Sequence, residues 1–242
     1  MRVAVLSDIH ANLHALEAVL AAVDADKPDE VWFLGDLVGY GPRPNRCRVL
    51  LEPLAAISLL GNHDLGALER IPLDFFSPEA ATSARWTKTV LEPETEAFLG
   101  GLEASGEREE TGLFHASPRD PVWEYVLSPD VALASLKATG QPIVLVGHSH
   151  VPLAISLDGD SVEGGVAEGG AEVELGEKRW LMNPGSVGQP RDGDPRAAYL
   201  LLDLDARTAV FRRVPYPVEK TQKEIRDRGL PEALAARLEH GV

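Results

Sequence analysis

Asp8 and His10 in "SDIH", and His148 and His150 in "GHSH", stand two residues apart directly after apolar runs. In an extended chain, side chains at i and i+2 face the same way, so each pair presents two ligands to one site; on a helix they point nearly apart. Between the pairs come Asp36 in "GD", Asn62, His63 and Asp64 in "GNHD", and His115 in "FHASP", each again following an apolar run. Either pair alone is commonly a structural hydrogen-bonding arrangement. Polar groups at five successive strand ends are not explained that way. Carboxylates, an amide oxygen and imidazoles without sulfur suit Mn, Fe, Zn, Co or Ni. The set exceeds what one tetrahedral ion needs. A central Asp can bridge two ions, and two ions about 3.5–4 Å apart form the clamp used for in-line displacement at phosphorus.

The elements that must position these residues are legible around them. "RVAVLSD", "VWFLGD" and "AISLLGNHD" alternate with helical spacing such as Leu13, Leu16, Leu20 and Val23, a βαβ rhythm that builds a largely parallel sheet. Ligands of such sheets collect beyond the carboxyl ends of the strands. "GLFHASP" and "IVLVGHSH" read as two more strands of this kind. A helical excursion over the site is expected near residues 66–110, with Ser77 capping a helix that opens on Pro78, and "SPDVALASLKATG" repeats that grammar. After His150, strands joined by turns predict a second, mainly antiparallel sheet. "EGGVAEGGAEVE" reads as a mobile surface hairpin, because it has few groups able to offset the entropy of ordering. The tail from Val218 to His240 reads as two short helices around Gly229 and Pro231, and the whole as one α/β domain, 1–242. His14 and His240 are expected to face solvent.

The formal charge of -15, from 23 Lys and Arg against 38 Asp and Glu, argues against an electrostatic grip on nucleic acid or anionic membrane. An anionic substrate then needs local positive charge. The start "MRVAVLSD" runs straight into a strand pattern, with no leader-like or membrane-spanning segment, so a cytoplasmic protein is expected. The single Cys47 excludes an internal disulfide and a thiolate cluster.

"DIH", "GD", "GNHD", "H" and "GHSH", in that order from Asp8 to His150, resemble the signature of the calcineurin-like metallophosphoesterase superfamily. "SDIHANLHALEAVL", "GDLVGYGPRPNRC" and "NPGSVGQPRDGDPRAAYLLLD" are similar to its small prokaryotic predicted phosphodiesterases. The resemblance implies a four-layer α/β/β/α sandwich of two mixed sheets with two divalent ions, manganese favoured, at its edge. It implies one ion held by Asp8, His10, Asp36 and His150, another by Asp36, Asn62, His115 and His148, and a metal-bridging hydroxide that attacks phosphorus. His63 matches the residue placed near the leaving oxygen and is expected to act as general acid. A small-molecule phosphoester or nucleotide is the implied substrate, and self-association into a homo-oligomer is left open.

The sequence departs from the superfamily at one motif. Phosphoprotein phosphatases and symmetrical dinucleoside tetraphosphatases carry G-D-x-V-D-R-G, whereas this chain reads "GDLVGYG", with Gly39 and Tyr40 in place of the Asp that orients the acid histidine and the Arg that holds phosphate. Asp64 is the candidate to orient His63 instead. Arg191 and Arg196 in "GQPRDGDPR", with Tyr40 and Arg43, are the candidates for holding phosphate. Asn183, Gly185 and Ser186 form a candidate turn beside the metals. The leading expectation is a dimetal phosphodiesterase acting on a small phosphoester. Two alternatives stand beside it: a dinucleoside polyphosphate hydrolase cleaving an anhydride, and a noncatalytic scaffold of the same fold, in which lost ligands would be expected.

Overall fold

The valine- and leucine-rich runs are buried on both faces, as strands in the middle of a covered sheet must be. In the computed structural model, which describes residues 1–242, they open with β1 (Arg2–Leu6), followed by α1 (Leu13–Asp26), β2 (Glu30–Phe33), α2 (Pro44–Leu51) and β3 (Ala55–Ser58). Asn12 caps α1 by accepting from the Ala15 amide at 3.2 Å. Next come α3 (Asn62–Ala67), α4 (Pro78–Val90) and α5 (Pro93–Gly100), then β4 (Ser105–Arg108), β5 (Thr111–Phe114), α6 (Pro129–Lys137) and β6 (Ile143–Val146). Ser77 and Ser128 cap α4 and α6 as expected, each followed by proline at the first helical position. The remainder is β7 (Leu153–Asp158), β8 (Ser161–Val166), β9 (Glu172–Glu174), β10 (Arg179–Asn183), β11 (Ala197–Asp203), β12 (Thr208–Val214), α7 (Val218–Asp227) and α8 (Glu232–Ala236), with a final 3-10 turn at Arg237–Glu239.

Two six-stranded sheets result, ordered β3-β2-β1-β11-β12-β9 and β4-β5-β6-β10-β7-β8. Each is mixed. β1, β2 and β3 run parallel, as do β5, β6 and β10, while β11 and β7 extend the two sheets antiparallel. The expected separate second sheet is therefore not what forms: strands after His150 are shared between both sheets. "EGGVAEGGAEVE" is likewise not a hairpin. Its start lies in β8, paired with β7, and its end in β9, paired with β12, so backbone ladders order a stretch poor in packing side chains. The 66–110 excursion is helical as far as Gly100 and then closes on the edge strand β4.

Side-chain alternation sets the layers. Val3 and Val5 of β1 face the other sheet, joining Trp32, Leu113, Leu145 and Met182, while Ala4 and Leu6 face Leu16, Val19 and Leu51 of α1 and α2. On the far side, Ala132 and Leu136 of α6 cover Val144 and Leu181. The order is α/β/β/α, and each fully buried Leu or Val contributes roughly 1.5–3 kcal/mol. The tail forms a smaller cluster, Ile225, Leu234 and Leu238, against Tyr40 and Ala80. No helix is long and apolar enough to cross a membrane.

Candidate metal centre

The loops that leave β1, β2, β3, β5, β6 and β10 meet at one edge, laced by main-chain bonds. Asp8 donates to the Gly35 carbonyl at 3.0 Å, Gly147 to that of His115 at 2.8 Å, and Gly188 to that of Asp8 at 2.9 Å. Here the extended i, i+2 geometry expected for the two pairs is replaced. The strands end at Leu6 and Val146, and Asp8, His10, Asp36, Tyr40, His148 and His150 all lie in left-handed backbone, with φ from +49° to +61°. Such conformations cost free energy in non-glycine residues and cluster where function requires them.

The structure brings together Asp8, His10, Asp36, Asn62, His115, His148 and His150, all buried. One ligand atom from each of Asp8, His10, Asp36 and His150 lies within 4.8 Å of the others, and the same holds for Asp36, His115 and His148. Asp36 is common to both groups: its Oδ2 is 3.6 Å from Nε2 of His10 and 3.6 Å from Nε2 of His115. Its other oxygen accepts from the His63 amide at 2.8 Å. Asn62 joins the second group through Oδ1, 3.2 Å from Nε2 of His115.

The donor atoms fit a cation. Nδ1 of His10, His115 and His150 each face a backbone carbonyl, of Val38, Leu34 and Gln189, at 2.6–3.0 Å, which fixes the proton there and turns the Nε2 lone pair inward. Nε2 of His10 and of His150 then face each other at 3.0 Å, two lone pairs that repel unless positive charge lies between them. Oδ1 of Asp8, Oδ2 of Asp36 and Nε2 of His148 are buried without any hydrogen-bond partner, a costly state that coordination would relieve. Burial also holds all four imidazoles below the ordinary histidine range, so they are neutral and able to donate a lone pair at pH 7, while it raises Asp8 and Asp36.

The other predicted residues separate clearly. His63 lies in the site, its ring 4.9 Å from that of His10 and 4.3 Å from that of Tyr40, with Nδ1 unpartnered. Tyr40, a candidate for holding phosphate, lies in the same cleft, and its hydroxyl accepts from Arg191 at 3.2 Å. Asp64 does not orient His63. Its carboxylate accepts from the amides of Asp36, Leu37, Val38 and Gly61 at 2.9–3.3 Å, clamping two ligand-bearing loops together. Burial raises its pKa to about 6 despite those four donors. Arg196 is also corrected: it is exposed and forked onto Asp194. Arg43 is forked onto Glu224 of α7. Asn183 donates to the Gly147 carbonyl at 2.7 Å and Ser186 to that of Asp8 at 2.8 Å, so both brace ligand loops. His14, expected in solvent, is half-buried, 3.6 Å from Glu224.

Sequence reasoning missed the wall of this cleft. Phe75, Phe76, Trp123, Tyr125 and Arg237 line it with Tyr40, His63 and Arg191. The aromatic pair in "DPVWEYVL" was a visible signal; Arg237, in an ordinary helical tail, carried none.

Comparisons with known proteins agree with this geometry. Residues 1–207 match the calcineurin-like phosphoesterase superfamily domain. The chain is 40% identical to an uncharacterized protein of Methanocaldococcus jannaschii, over 98% of this chain and 96% of that one. It is 27% identical to phosphodiesterase YfcE of Escherichia coli K12, covering 87% and 91% of the two chains. A crystal structure of a metallophosphoesterase from Sphaerobacter thermophilus superposes with TM-score 0.91 at 43% identity, over 100% of this chain and 99% of that one.

Proposed function

The chain belongs to the calcineurin-like phosphoesterase superfamily, a family of phosphoester hydrolases, and on that premise we propose that it is a two-metal phosphodiesterase acting on a small phosphoester. The observation that carries this reading is Asp36, whose partnerless Oδ2 stands 3.6 Å from a histidine of each donor group. A carboxylate so placed could serve a cation in each group. In this reading residues 1–242 act as one domain, since the tail beyond residue 207 closes onto the cleft through Arg237.

Asp8, His10, Asp36 and His150 would hold one divalent ion, and Asp36, Asn62, His115 and His148 the other. Bound there, the ions supply Lewis acidity that lowers the pKa of a water and offsets the charge on phosphate oxygens. The protein's own part is positioning and proton transfer. Arg191 holds phosphate oxygens, braced by Tyr40 and Gln189. His63 protonates the leaving oxygen. In the free cleft, burial holds His63 well below the ordinary range, so it starts neutral. A phosphate anion beside it favours the imidazolium, so substrate and proton are taken up together.

The test is hydrolysis of a phosphomonoester dye and a phosphodiester dye by metal-stripped protein titrated with Mn, with bound metal counted. Diester cleavage rising to a plateau at two ions per chain is expected. His63→Ala is expected to lose about 100-fold or more in kcat while keeping both ions. Two ions bound with no diester cleaved sinks the phosphodiesterase reading; full activity in His63→Ala removes the assigned acid.

A further inference from the structure

Beside the donor cluster the cleft concentrates two guanidinium groups. Arg191 lies over the ring of Tyr40, 5.7 Å from its centroid, and donates to Oε1 of Gln189 at 2.9 Å. Arg237, just beyond α8, donates to the same oxygen at 3.3 Å. One neutral acceptor therefore brings two cations together. Neither touches an Asp or Glu side chain: Nε of Arg191 is buried without a partner, and Nε of Arg237 donates to an oxygen of Val242, the last residue, which leaves its other nitrogens toward the cleft. Some arginines elsewhere are neutralised, Arg43 by Glu224, Arg108 by Glu30 and Arg226 by Glu232, and others, such as Arg179 and Arg207, donate to carbonyls away from the cleft. In a chain of formal charge -15, two arginines converging on one cleft through a neutral acceptor favour an anion there.

The rest of the cleft lining has different chemistry. Phe76 meets the His63 ring edge-on at 5.1 Å and the Trp123 ring at 5.3 Å, and Phe75 reaches Trp123 at 5.9 Å. Phe75 is 76% exposed and Tyr125 45%, apolar rings left in water at the mouth of a polar site. Trp123 is part of that wall and only partly covered. A flat ring laid here would remove apolar surface from water and stack on π-faces.

We propose that Arg191 and Arg237 form a guanidinium clamp for the phosphate of a nucleotide-class substrate, whose base lies against the Phe76–Trp123 wall. The proposal rests on the phosphoesterase reading of the neighbouring donor cluster and names its substrate class. It makes the C-terminal segment part of the binding site. α7 and α8 dock by bonds such as Thr221 to Asn12 at 2.8 Å and Gln222 to the Ala235 carbonyl at 3.0 Å, and these hold Arg237 at the cleft.

Calorimetry of the Mn-loaded protein with three phosphonates that cannot be hydrolysed tests the clamp and the wall separately: methylphosphonate, a ribose 5-phosphonate and the matching adenosine 5-phosphonate. The adenosine probe is expected to bind at least about tenfold tighter than the ribose probe, the range of one base stacked on an aromatic side chain. Trp123→Ala is expected to bring the two together. Arg237→Gln is expected to weaken all three about tenfold or more, because a charge-assisted contact to phosphate is lost. Arg237→Lys, keeping charge without the fork, is expected to fall between, and it decides the matter if Arg237→Gln does not fold. Equal affinity for the ribose and adenosine probes overturns the ring site; unchanged affinities in both Arg237 variants overturn the clamp. Because hydrolysis is not read, a protein that binds in this pattern yet cleaves no phosphodiester dye loses the proposed activity and keeps the site. One that cleaves the dye without the pattern loses the site alone.

Discussion

At Gly39 the backbone has φ +86°, and a Cβ there would stand 2.6 Å from Nδ1 of His63 and 2.9 Å from its Cβ. The residue is small because the histidine ring occupies the space where the Asp of the related motif would stand, so His63 is held by packing against Gly39 and Tyr40, with no carboxylate behind it. Gly39→Ala is expected to push the ring aside and lower kcat about 100-fold, with metal stoichiometry unchanged because Gly39 supplies none of the donor atoms; parallel steady-state kinetics and metal counting check both halves. Asp64 shows how far sequence reading reaches at this scale. Its position in "GNHD" was legible, but whether a carboxylate turns to a neighbouring ring or to four backbone amides depends on where two other loops lie. Arg191 and Arg196, five residues apart in one loop, could not be told apart either, since each has an aspartate within two residues in the chain and only the fold decides that Arg196 forks onto its own while Arg191 turns to Tyr40 and Gln189.

The ligand loops and the tail are coupled through Asn12. Its buried side chain caps α1, donates to the Gly188 carbonyl at 2.8 Å, and accepts from Thr221 of α7. Asn12→Ala would leave a helix amide, a carbonyl and a hydroxyl buried without partners. The expected loss is about 2–4 kcal/mol in urea unfolding, against about 1 kcal/mol for Thr221→Val, which removes one bond only. The helices themselves were legible from caps and spacing. The docking of α7 onto the loop after β1 was not, since its partners are some 209 residues away in the chain.

For the whole molecule, metal-free stability should depend on pH through the cluster. Burial lowers His10, His63, His115, His148 and His150 from the usual 6.5, so as pH falls below 6.5 the unfolded chain takes up protons that the folded protein refuses. Stability present above 6.5 is thus lost on acidification. Asp8, Asp36 and Asp64 are raised and act in the opposite sense, but five imidazoles outweigh three carboxylates. The urea midpoint of metal-stripped protein is expected to be lower at pH 5.5 than at pH 7; an equal or higher midpoint contradicts this account.

Chain order and residue type alone determined the candidate donor set, the strand-end placement of its members and the α/β rhythm, because a side chain's chemistry and its distance from an apolar run are local properties. Only the tertiary structure decided that the strands after His150 divide between two sheets, since alternation marks a strand without naming its neighbour. It also decided that left-handed turns, not extended strand ends, aim the ligands, and that Arg237 meets Arg191. Those outcomes depend on which distant segments share a volume, and close packing settles that only when the whole chain is in place.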